Sequence, residues 1–137
     1  MIYAVIDTNV RVAAAKSHKP NSSTSQVLSL VFSGIIQPLV CEEILEEYED
    51  ILNLPVLAIP KDISSAIIAY FKTDGIIPGR TLSDEEFPDP TDQVFYEICL
   101  SVEDAYLVTN NKKHFPQKPR VVTPSEILII LKESGII

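Results

Sequence analysis

Residues 2 to 9 read Ile2-Tyr3-Ala4-Val5-Ile6-Asp7-Thr8-Asn9, an apolar run that ends abruptly on an acid and two polar residues. A short run of this kind, without polar alternation, predicts a strand buried on both faces, the pattern of a parallel sheet. Open α/β sheets bind ligands outside the carboxyl ends of their strands. Asp7, Thr8 and Asn9 therefore stand at an active-site address.

Reading outward, Val10 to Ala15 predicts a short helix and residues 16 to 24 a polar loop. The apolar positions Val27, Leu28, Val31 and Phe32 predict a helix over Ser25 to Phe32 that stops near Gly34. Gln37 to Val40 reads as a second short strand. Glu42 to Leu52 is helical by period, with Ile44, Leu45, Tyr48, Ile51 and Leu52 on one face. Glu47 falls at the margin of that stripe, whereas Glu43, Glu46 and Asp50 point more nearly away from it. A further helix runs from Lys61 to Thr73, and Gly75 ends it. Ile76 to Pro90 is a long acidic loop with a two-residue strand at Ile76 and Ile77.

Asp89-Pro90-Thr91-Asp92 opens the next helix with an N-cap acid, a first-turn proline and a second acid three residues after the cap. Phe95, Ile98, Cys99 and Val102 form its buried stripe. Ala105 to Thr109 is another buried strand, and Asn110-Asn111 follows it as Asp7 follows the first. Arg120 to Val122 is a last short strand. Thr123-Pro124-Ser125-Glu126 is a capping box for a final helix that Gly135 closes. The fold expected is a single α/β domain over residues 1 to 137, a three-layer α/β/α sandwich around a mainly parallel sheet.

Composition agrees with one globular domain. The 137 residues are 46% hydrophobic and 22% charged, and a chain of this size buries roughly two thirds of its unfolded surface. No apolar run approaches the roughly 20 residues a membrane span needs. The start of the chain has no signal-peptide pattern, which predicts a cytoplasmic protein. Cys41 and Cys99 fit neither a disulfide framework nor a zinc site, and both are expected reduced. Eleven basic and nineteen acidic residues give a net charge of -8. That balance argues against nucleic-acid binding by broad phosphate neutralisation, though not against a nuclease whose metal ions contact phosphate directly.

If the first strand and the Ala105 to Thr109 strand are neighbours, Asp7 meets the polar end of the latter. Asp92 and Glu47, each on a helix, can complete a ring. Three carboxylates with the Asn111 amide oxygen are hard ligands, suited to Mg²⁺ or Mn²⁺.

The ordered set Val5-Ile6-Asp7-Thr8-Asn9-Val10, Leu45-Glu46-Glu47-Tyr48, Asp89-Pro90-Thr91-Asp92 and Leu107-Val108-Thr109-Asn110-Asn111-Lys112-Lys113-His114-Phe115-Pro116 resembles the PIN-domain family of metal-dependent ribonucleases. Within it the chain resembles the toxin components of toxin–antitoxin pairs. The resemblance implies a PIN-like fold and makes Asp7, Glu47 and Asp92 the acidic metal ligands. Asn111 falls where many members carry a fourth aspartate, and Asn110 where they carry a glycine. Thr8, Asn9 and Thr109 match polar positions that hydrogen-bond around the acids. His114 and Phe115 match a local signature without an assigned role.

The function expected is Mg²⁺- or Mn²⁺-dependent endonuclease cleavage of RNA, single-stranded for preference, with Asp7, Glu47, Asp92 and Asn111 as the catalytic set. A metal-bound water would attack the phosphodiester in line. With an amide at position 111 the site has one negative charge fewer, so one ion is expected before substrate arrives. Arg11, Lys112, Lys113 and His114 are candidate phosphate contacts, with Lys16, Lys19, Lys118 and His18 as weaker ones. An antitoxin would cover the cleft, and a homodimer could form through the stripes Val27 to Phe32 or Ile63 to Phe71. Two other readings remain: a PIN-like RNA-binding or interaction module with weak catalysis, and a phosphatase. For the latter, Asn9 stands where a second aspartate would be expected.

Overall fold

The computed structural model describes residues 1 to 137 except 18 and 20. Among the described residues four strands, β1 (Ile2–Ile6), β2 (Ile36–Pro38), β3 (Tyr106–Val108) and β4 (Val121–Val122), form one sheet in the order β2-β1-β3-β4. Every pairing is parallel. The sheet is thus wholly parallel where the sequence predicts only a mainly parallel one. Parallel neighbours need crossover connections, and these carry α1 (Thr8–Lys16), α2 (Ser23–Phe32), α3 (Glu42–Leu52), α4 (Lys61–Asp74) and α5 (Gln93–Leu100); α6 (Pro124–Glu133) follows β4. The result is the three-layer α/β/α arrangement.

After β1 the chain goes to β2 on one side and then to β3 on the other. The carboxyl ends of β1 and β3 therefore flank the point where strand order reverses, the crevice in which doubly wound sheets bind ligands. Ala4, Val5 and Ile6 of β1 are wholly buried, as a strand covered by helices on both faces requires. Helix α2 packs on α1 and α6, α3 packs on α4 and α5, and α1 meets α3.

Several ends are local chemistry. Thr123 and Glu126 form the expected capping box at α6. Asp89 accepts from the Thr91 backbone N–H, so it is the expected cap, but the turn over residues 90 to 92 is 3₁₀ and α5 starts only at Gln93. Helix α1 begins at Thr8, two residues earlier than its alanines suggest. Gly75 allows a close passage: a Cβ there would lie 2.7 Å from a Val40 methyl. That passage brings Ile76 beside Leu39 as a single parallel bridge, less than the predicted two-residue strand. Cys41 and Cys99 are free thiols, as expected.

Candidate metal and active site

Asp7 closes β1 and is 6% exposed. Its backbone N–H donates to the Val108 carbonyl, so β1 and β3 stay paired to their last residues. Thr109, the residue after β3, donates its hydroxyl to Asp7 Oδ2 at 2.7 Å and accepts the Asn111 N–H at 3.0 Å. Asn9 Oδ1 accepts the Asn110 N–H at 3.3 Å. Thr8, the first residue of α1, donates its hydroxyl to Glu47 Oε2 on α3. The three polar residues expected around the acids, Thr8, Asn9 and Thr109, all bond within this one region.

Burial pushes Asp7 up to about 6 against the Thr109 hydrogen bond, and the Asp92 charge raises it further. Asp92 is also pushed up to about 6, first by burial and then by Asp89, with Glu47 adding to the effect. Glu47 is raised by burial against its bond from Thr8, and then by Asp7. Each of the three acids thus feels another's charge. Asp92 does not fold back to cap its helix. Its Oδ2 is buried without a hydrogen-bond partner, although His114 Nδ1 lies 3.4 Å away, close enough for an ion pair but outside hydrogen-bond geometry.

One buried and two half-buried carboxylates, each raised by desolvation and by another's charge and one with an unpartnered oxygen, fit a divalent cation that would supply positive charge. Among the described residues, no three His, Cys, Asp or Glu side chains already stand in the geometry of a metal cage. In this arrangement Thr109 engages Asp7 and Thr8 engages Glu47. Asn111 is exposed, beside the crevice.

Glu47 also lines a groove of about 480 Å³ between α3 and the segment 80–97. Glu43, Glu46 and Asp50 line it too; all three are exposed and Glu47 is half-buried, as the helical wheel predicts. The loop beyond α4 supplies the opposite wall, and a wheel drawn for α3 alone does not include it.

The candidate phosphate contacts separate. Arg11 is wholly buried, with its guanidinium against the Tyr48 and Phe71 rings, so it is not a phosphate contact in this arrangement. Lys112 pairs with Glu126 at 3.1 Å. Lys113 is exposed, and His114 is half-exposed beside Asp92. His18 lies outside the described residues.

Two features escape the sequence reading. Tyr48, predicted as a core residue, also donates its hydroxyl to the Ile6 carbonyl, one residue before Asp7. Glu97, in the middle of the apolar α5, is 1% exposed and binds Arg80 Nε at 2.8 Å, the Ser83 N–H at 2.7 Å and Gln93 Nε2 at 3.1 Å. An acid inside an apolar helix is the one sequence signal that marks it.

A wholly parallel sheet, with Asp7 at the strand-order reversal and helices on both faces, defines an α/β protein of the doubly wound kind. Residues 3 to 113 match the family model described as PIN domain. The chain belongs to the PIN-domain family, whose members are generally metal-dependent nucleases. Searches of curated proteins and of solved structures gave no match.

Proposed function

We propose that this protein is a Mg²⁺- or Mn²⁺-dependent endoribonuclease whose metal ligands are Asp7, Glu47 and Asp92, with Asn111 as a neutral fourth. The observation that carries this reading is the buried Oδ2 of Asp92, without a hydrogen-bond partner at the β1/β3 crevice, on an acid that raises Asp7 and is itself raised by Glu47. A bound divalent ion would supply a water of lowered pKa and offset charge on the scissile phosphate. Thr109 orients Asp7, and Thr8 orients Glu47. Lys113 and His114, beyond β3, are the side chains best placed to meet the RNA backbone.

The acid-lined groove beside Glu47 suits a basic segment of a partner protein, which supports an antitoxin as partner and a toxin role for this chain. A homodimer would use the apolar groove between α1, α2 and α4, where Phe32 and Ile63 remain exposed. Among the described residues no helix is long and apolar enough to cross a membrane. The proposed site of action is the cytoplasm.

A second reading has its own observations. The amide at position 111 and carboxylates not yet in ligating geometry favour an RNA-binding module with weak cleavage. Single-stranded and structured RNAs incubated with Mn²⁺, Mg²⁺ or EDTA, using native protein and Asp7→Asn, separate the two. Metal-dependent cutting lost in the variant establishes the nuclease. RNA binding without cutting by either protein favours the module.

A further inference from the structure

We infer that Arg11 is a positioning residue for the metal site, holding Glu47 in register with Asp7 through Tyr48. The inference rests on the proposed assignment of Glu47 as a metal ligand.

Arg11 is wholly buried, yet among the described residues Nε, Nη1 and Nη2 have no hydrogen-bond partner. Its guanidinium carbon lies 3.2 Å from the centroid of the Tyr48 ring and 3.8 Å from that of Phe71. The two rings meet edge-on at 77°, with centroids 5.5 Å apart, and Arg11 fills the corner between them. A buried cation without hydrogen bonds is a costly way to fill apolar space. An aliphatic side chain would occupy the corner without that cost. What the guanidinium adds is a flat, rigid, cationic plate against the π-face of a tyrosine.

That tyrosine is tied to the site on both sides. Its hydroxyl donates to the carbonyl of Ile6, the residue preceding Asp7. Its chain neighbour is Glu47, which Thr8 holds. Thr8 and Arg11 lie one turn apart on α1, so successive contacts, Thr8 with Glu47 and Arg11 with Tyr48, dock α3 onto the helix that leaves the Asp7 strand. Arg11 touches neither carboxylate's hydrogen bonds; it fixes the ring that fixes the helix.

The direction of the effect distinguishes positioning from charge. If Arg11 acted only as a nearby cation, its removal would strengthen metal binding. If it acted only in packing, Arg11→Met would change thermal stability and leave metal binding alone. As a positioning residue, Arg11→Met retains or gains stability, because an unpaired buried charge is gone, while metal affinity falls.

The test is Mn²⁺ titration without RNA, followed by the electron paramagnetic resonance signal of free Mn²⁺, alongside thermal unfolding. The proteins are native, Arg11→Met and Tyr48→Phe, the last keeping the ring but losing the hydroxyl. Expected is affinity weakened roughly 10- to 100-fold in Arg11→Met, the range for residues that orient metal ligands, at an unchanged or raised melting temperature. Tyr48→Phe should weaken binding in the same direction, and it decides the matter if Arg11→Met does not fold. Native affinity in either folded variant, or tighter binding in Arg11→Met, overturns the inference while leaving the metal site standing. No Mn²⁺ binding by native protein overturns both.

Discussion

The Thr109 hydroxyl donates to the Asp7 carboxylate at 2.7 Å across 102 residues of sequence, and the same oxygen receives the Asn111 N–H. One side chain therefore ties the end of β3 to the end of β1 and sets the turn that carries Asn111. Thr109→Val preserves shape but removes both bonds. Its expected cost is about 1–3 kcal/mol at pH 8, where Asp7 is charged and would be buried with one partner fewer. At pH 5 the cost should shrink, because Asp7, pushed up to about 6, is then largely protonated. Urea unfolding at the two pH values measures the difference.

Asp7 itself weighs on the apo fold. Its pKa is raised from the ordinary 3.8 to about 6, so the native state holds its proton more tightly than the unfolded state. That contribution to stability is fully present below about 3.8 and is lost as pH rises through about 6. Asp7→Asn should therefore be more stable than native protein at pH 8 in EDTA, by about 1–3 kcal/mol. The two should converge near pH 4. Denaturation midpoints across this range would show the crossing, and a variant weaker than native at pH 8 would contradict it.

Metal should reverse that penalty. Mn²⁺ at a hundredfold excess over its dissociation constant is expected to stabilise native protein by about 2.7 kcal/mol and Asp7→Asn by much less. Calorimetric titration should give one ion per chain in the absence of RNA. Binding should weaken as pH falls through about 6, where protons compete for Asp7 and Asp92.

The loop that walls the acidic groove hangs from Glu97. Glu97→Ala leaves the Ser83 N–H without its acceptor and the Arg80 guanidinium with Glu43 alone. Because Arg80 is partly exposed and can rehydrate, the expected loss is about 2 kcal/mol, below the range for a fully buried pair. Amide exchange should report it locally, with protection lost at Ser83 and at Thr81, whose N–H donates to the Glu97 carbonyl.

Much of the architecture follows from periodicity alone. The bounds of α3 emerge from its apolar spacing, and the capping box at Thr123 from two residue types three apart. Asp7 is legible as the residue on which a buried strand stops, because the apolar run ends there. Arg11 is not legible: an arginine two residues past a polar strand end reads as a phosphate contact, and only the rings of Tyr48 and Phe71, 37 and 60 residues on, draw it inward. Glu43 and Glu46 read as solvent-facing and are exposed, but the groove they line is not legible, because its opposite wall belongs in part to a loop without periodicity. Side chains whose destination lies on a distant element escape any local rule.

β1 holds the centre of the sheet, with β2 and β3 on its two flanks. Synthesis reaches the central strand and Asp7 well before β3 and the Thr109 that follows it, about a hundred residues later. A growing chain thus carries Asp7 long before the groups that aim it exist. Under the proposed function, its ability to cut RNA would arrive late and all at once, when the β3 segment slots in beside a strand that has waited for it.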